Sequence, residues 1–158
     1  MEEDKEKVII FPKWKENLEK NAREAMEANH FEQALQYFNE LTTNGVVSHE
    51  VQTGKLICLM ELQQLEEAEA YCESLLSEHD EYYYSYLHIY ATLLLESSKY
   101  IEIIELLEDI LLGEHIPDLY KDQLDHIYKL SRELFEQERE QSFEEIIEKL
   151  KQAVLHKN

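Results

Sequence analysis

Apolar residues recur three and four positions apart along most of the chain, the spacing of one face of an α-helix. Trp14, Leu18, Ala22 and Ala25 form a first stripe, and Phe31, Ala34, Leu35, Phe38 and Leu41 a second. Asn29-His30 between them is short and polar, which predicts a tight turn. Thr43-Asn44-Gly45 closes the second helix, with Gly45 suited to a left-handed backbone. Ser48 opens a third helix running to about Leu62; Leu65–Ser77 reads as a fourth and Glu81–Glu96 as a fifth. Tyr100–Leu112 follows after Ser97-Ser98. Gly113 to Pro117 interrupts the pattern, and Asp118 is placed to cap a long helix to about Glu140. Ser142–His156 reads as an eighth. Its single stripe (Phe143, Ile146, Ile147, Leu150, Ala153, Val154) is what a terminal capping helix carries. Burying Phe143, Ile147 and Leu150 there is expected to contribute about 1.5–3 kcal/mol each.

A longer period overlies the helical one. Phe31, Leu65 and Tyr100 stand 34 and 35 residues apart, and the same offsets relate Ala34, Ala68 and Ile103, then Phe38, Cys72 and Leu107, then Leu41, Leu75 and Ile110. Phe143, Ile146, Leu150 and Ala153 repeat the pattern more loosely. Repetition at this period predicts stacked helix hairpins, none of which can bury its apolar face without a neighbour. The expected division is an extended N-terminal segment over residues 1–12 and one helical domain over 13–158, with hairpins at about 13–44, 47–78, 81–112 and 118–156.

These residues resemble the tetratricopeptide repeat, a helix-turn-helix family. The likeness rests on Phe31-Glu32-Gln33-Ala34 and Leu65-Glu66-Glu67-Ala68 opening second helices, on the large residue four positions later, and on small Ala22 and Ala91 in first helices. Ile103 and Ile146 depart from the small residue at the helix crossing, and Leu56 from the one in the second unit. The resemblance implies an all-α, right-handed solenoid of about four antiparallel hairpins, eight helices in all. It also implies that first helices line a concave surface.

Read across units on that surface, Met26, Met60 and Leu95 form an apolar row beside an acidic row of Glu27, Glu61 and Glu96. Arg23, Ile57 and Thr92 lie one turn earlier, and Glu19, Thr53 and His88 a turn before those. Tyr84, pointing with His88 toward the groove, is the aromatic hot-spot candidate. Relatives that grip the C-terminal carboxylate of chaperone tails use Lys, Arg and Asn on this face. The matching positions here lack that clamp. The expected ligand is a basic or amphipathic segment of another protein.

Charge supports this choice. The chain has 35 acids and 15 bases, a formal −20, so it repels nucleic acid and anionic membrane surfaces. Three Gly and two Pro leave little turn material for a sheet fold. Met1–Lys7 with four following apolar residues is no signal peptide, and two cysteines make no disulfide framework, so the cytoplasm is the expected setting. Val8–Phe11 is read as extended, with Pro12 starting the first helix. It is expected to dock on the chain's own hairpins or on a second subunit, which leaves a homodimer built through groove and segment as an alternative.

Catalytic motifs are missing: no phosphate loop, no His-Glu-x-x-His, no Cys-x-x-Cys. Glu27-Ala28-Asn29-His30 is a lone Glu-x-x-His running into a turn. Asp122 and His126 share a helix face. A hydrolase using His88 or His126 with clustered carboxylates is the less favoured rival. No catalytic residue, metal site or cofactor is assigned. Cys58 and Cys72 fall at packing positions on the two helices of one hairpin.

Overall fold

The computed structural model describes residues 2–113 and 115–156, with side chains described from Lys13 on except Glu114. Among the described residues there are seven helices and no strand: α1 (Glu2–Glu27), α2 (Phe31–Thr43), α3 (His49–Glu61), α4 (Leu65–Leu76), α5 (Tyr83–Glu96), α6 (Tyr100–Gly113) and α7 (Asp118–Leu155). They fall into two compact units, residues 1–78 and 79–158.

In the first unit α1 packs on α2, α2 on α3, and α3 on α4. The core joins Leu18, Ala22 and Ala25 of α1 to Ala34, Phe38 and Leu41 of α2 and to Val51 and Cys58 of α3. Ala22 of α1 and Ala34 of α2 are both wholly buried in this core. The small residue at the α2–α3 contact is Gly54. A Cβ there would lie against Phe38 Cζ and 2.8 Å from both Phe38 Cε1 and Cε2. Leu56, which departs from the small residue expected in the second unit, is a fully buried large residue.

The 34- and 35-residue offsets are written into the backbone. Asn29, Gln63 and Ser98 all have positive φ, at 61°, 58° and 56°. In each case the left-handed residue donates its amide to the carbonyl three residues back, on Met26, Met60 and Leu95, at 3.0–3.1 Å. The next amide reaches five residues back, from His30 to Ala25, Gln64 to Leu59 and Lys99 to Leu94, at 2.8–2.9 Å. This pair of bonds closes a helix without a side chain. Gly45 (φ 81°) ends α2 in the same way, and His79 (φ 47°) stands 34 residues after it. Ser48 does cap α3, its Oγ accepting from the Val51 amide at 3.2 Å.

In the second unit α5 and α6 form a hairpin, and α7 packs on both. Tyr86, Leu87, Ala91, Leu93 and Leu94 of α5, Ile103 and Leu107 of α6, and Leu124 and Ile127 of α7 are buried. The Ser131 hydroxyl donates to the Ile127 carbonyl at 2.7 Å, which satisfies the one polar side chain buried on α7.

Two expectations need correction. Asp118–Leu155 is one continuous helix of 38 residues, so the stretch 118–156 is not a fourth hairpin of two helices. Glu136-Gln-Glu-Arg-Glu-Gln141 is polar, but it contains neither Gly nor Pro and its residues are strong helix formers, so polarity there marks solvent and not a turn. The last stripe therefore caps nothing: from Glu136 to His156 every residue is exposed except half-buried Ile147. The burial energy expected of Phe143, Ile147 and Leu150 is not realised in the chain. Pro117 occupies the N-cap of α7, with Asp118 in its first turn, and no side chain caps the helix.

The second correction is at the other end. α1 is helical from Glu2, so Val8–Phe11 is not extended and Pro12 lies inside a helix. Glu2, Glu3 and Asp4 suit a helix N-terminus, and the fixed φ of proline is compatible with helix at the loss of one hydrogen bond. The docking expected of the Val8–Phe11 side chains lies outside the described residues.

Candidate functional site

The face carried by first helices can be followed in each unit separately. In unit one Glu19, Arg23, Met26 and Glu27 lie on α1, and Thr53, Ile57, Met60 and Glu61 on α3. Arg23 Nε of α1 stands 3.3 Å from Glu50 Oε1 of α3, linking the two helices at this face. Both side chains are about three-fifths exposed, at 60% and 62%, so the pair contributes at most ~1 kcal/mol; its value is geometric. Glu19 meets Lys15 at 3.8 Å along its own helix. The Thr53 hydroxyl is 3.5 Å from His49 Nδ1. Lys55 on the same helix turns away from this face, its Nζ 4.5 Å from the centre of the Tyr71 ring on α4.

Met26 and Met60 are half-buried, and Met26 packs against the core of unit one. Ile57 is 39% exposed. Glu27 and Glu61 are exposed and are the last residues of α1 and α3. Neither helix has a base in its last turn. Each carboxylate thus sits at the negative end of a helix dipole, where a cation is favoured and an acid is not. The carbonyls of Met26 and Met60 are taken up by the left-handed turns, which leaves the side chains to define what this end of the face presents.

In unit two the corresponding residues are all on α5. Leu95 is half-buried and Glu96 is exposed as the last helical residue, again with no base in the final turn. The Thr92 hydroxyl donates to the His88 carbonyl at 2.8 Å. His88 is half-buried, and desolvation holds its imidazole below the ordinary 6.5. Tyr84 is half-buried with its ring edge-on to Tyr83, centroids 5.2 Å apart, while Tyr83 stacks on His79 at 4.3 Å. Tyr86 is wholly buried, and Tyr83 and Tyr90 are half-buried.

The residues weighed for chemistry are placed less favourably. Cys58 and Cys72 are free and buried on α3 and α4. Burial pushes the Cys58 thiol up to about 11 and that of Cys72 to about 12, Glu69 and Glu73 adding to the latter. Neither is a ready nucleophile. Asp122 and His126 are both exposed on α7. Among the described residues no group of three or more His, Cys, Asp or Glu side chains converges on a metal-sized site. No helix among them is long and apolar enough to cross a membrane.

An all-helical chain whose turns repeat their backbone geometry at 34- and 35-residue intervals is a helical-repeat protein. The chain is 30% identical over 134 residues to the TPR repeat-containing protein YsoA of Bacillus subtilis, a match covering 85% of the chain. It is therefore a homologue of a tetratricopeptide-repeat protein, in agreement with the residues that carried the resemblance. The chain spans 40% of the length of that relative. No protein-family model matches it, and no solved structure does.

Proposed function

We propose that the chain is a non-catalytic adaptor in the cytoplasm that binds a basic or amphipathic segment of another protein. The contact surface is the first-helix face: Glu19, Arg23, Met26 and Glu27 on α1 and Thr53, Ile57, Met60 and Glu61 on α3. Tyr84, His88, Thr92, Leu95 and Glu96 are the residues of this face on α5. The observation that carries this reading is the termination of α1 and α3 in an exposed glutamate beside a half-buried methionine, with no base in either last turn. Lys or Arg of a partner answers the carboxylates and the helix dipoles together, and an apolar anchor refits the methionine surface. Homology to a protein named for its tetratricopeptide repeats supports an interaction role in general.

The test is affinity capture from a lysate with the intact chain and with Glu27→Gln/Glu61→Gln/Glu96→Gln. These glutamates are exposed, so the triple variant is expected to keep its fold by circular dichroism while losing salt-sensitive partners. Equal recovery by both chains removes the acidic row from the reading.

A further inference from the structure

Unit two leaves a large apolar surface uncovered, and its pattern names an occupant. Phe143, Ile147, Leu150 and Val154 follow one another at steps of four, three and four, the alternation of a coiled-coil seam. Phe143 is 63% exposed, Leu150 62% and Val154 69%, with Ile146 beside them at 55%. A contiguous apolar stripe on a bare helix marks an interaction surface. Charge along the same helix is segregated. Residues 136–148 hold Glu136, Glu138, Glu140, Glu144, Glu145 and Glu148 against Arg139 alone, whereas residues 149–156 hold Lys149 and Lys151 and no acid.

We infer that the end of α7 pairs antiparallel with the same segment of a second copy of this chain. The twofold axis falls between Glu148 and Lys149, so Phe143 packs against the second copy's Val154 and Ile147 against its Leu150. Glu144 then faces the second copy's Lys151, and symmetry repeats the pair at the other end. A parallel in-register pair would bring the acidic stretches of the two copies together, and their Lys149–Lys151 stretches together, which like-charge repulsion disfavours. A uniformly basic segment would suit the acidic stretch and be repelled by the lysines. Only a ligand with the reversed charge order answers both, and this helix is its own such ligand. The surface is separate from the proposed first-helix face.

Sedimentation velocity of the full chain over a concentration series at low salt tests this. The chain is expected to show a monomer–dimer equilibrium. Leu150→Glu should raise its dissociation constant at least about tenfold, with a circular dichroism spectrum that matches the parent's at concentrations where both are monomeric, because Leu150 supports no core. Glu144→Lys and Lys151→Glu should each weaken self-association. An equimolar mixture of those two variants should restore it, since each changed residue then faces an opposite charge. A chain that stays monomeric, a dimer indifferent to Leu150→Glu, or a mixture no tighter than its components overturns the inference. Hydrogen exchange on a monomer assigns the stripe otherwise. Protection of Phe143–Leu155 that vanishes on deleting residues 1–12 gives it to the chain's own N-terminus, and absence of protection gives it to a different protein; either result overturns the dimer.

Discussion

Replacing Gly54 by alanine sets two calculable effects against each other. In the middle of α3, alanine should stabilise the helix by about 1 kcal/mol over glycine. The added methyl, however, would overlap the ring of Phe38, with Cε1 and Cε2 both at 2.8 Å. Phe38 is 4% exposed within a core that also holds Leu41, Val51 and Cys58, so the ring cannot swing aside without displacing them. Overpacking of this kind costs about 1–3 kcal/mol. The net expectation is a loss of up to about 2 kcal/mol, against a gain if propensity alone mattered. The assay is urea denaturation followed by Trp14 fluorescence, because this single tryptophan packs against the same core and reports unit one. The midpoint should fall, and Phe38→Leu, though destabilising alone, should cost less in the Gly54→Ala background than in the parent chain. A raised midpoint for Gly54→Ala, or strictly additive effects of the two changes, would refute the close approach of α2 to α3.

Two further outcomes follow from backbone and burial. Gln63→Gly should stabilise the chain by about 0.5–1 kcal/mol, because the left-handed conformation strains a glutamine more than the glycine's extra unfolded entropy costs; thermal melting checks the sign, and Ser98→Gly should behave alike. Cys58 and Cys72 should resist a thiol reagent in the native chain at pH 8 and react at the rate of unfolding. Their thiols are raised above the ordinary 9.0, so the stability they contribute is complete below pH 9 and is lost as the unfolded chain ionises first at higher pH. Cys72→Ala should flatten that alkaline decline in a pH series of denaturation midpoints.

What the sequence made legible was local. The boundaries of α2 to α6 lie within about two residues of their expected places, because Asn29-His30, Gly45, Ser48 and Ser97-Ser98 are punctuation that acts over a few residues. Gln63 has no turn signature of its own; only its place 34 residues after Asn29 betrays its conformation. The fourth hairpin failed because an apolar stripe says that a helix can be covered and not that anything covers it. Phe143, Ile146, Leu150 and Ala153 fit the repeat in spacing, yet the stretch before them holds no Gly, Pro or Asn to favour a turn. The close approach at Gly54 carries no repeat signal, since the partner of a small residue is a property of packing. The candidate face fared similarly. Periodicity aligned Arg23 with Ile57, whereas the long guanidinium reaches Glu50, nearly two turns away along α3. Side-chain reach is invisible to register.

The length of α7 sets up two kinds of order within one helix. At 1.5 Å per residue it runs for about 57 Å, of which the stretch through Ser131 is anchored by buried Leu124 and Ile127. Amides there can open only when unit two opens as a whole. Beyond Phe135 the ladder is held by its own hydrogen bonds, so a lone copy frays inward from Leu155. Trypsin cutting at Lys151, Lys149 and then Arg139 would shorten the helix stepwise and leave every buried residue of the unit in place.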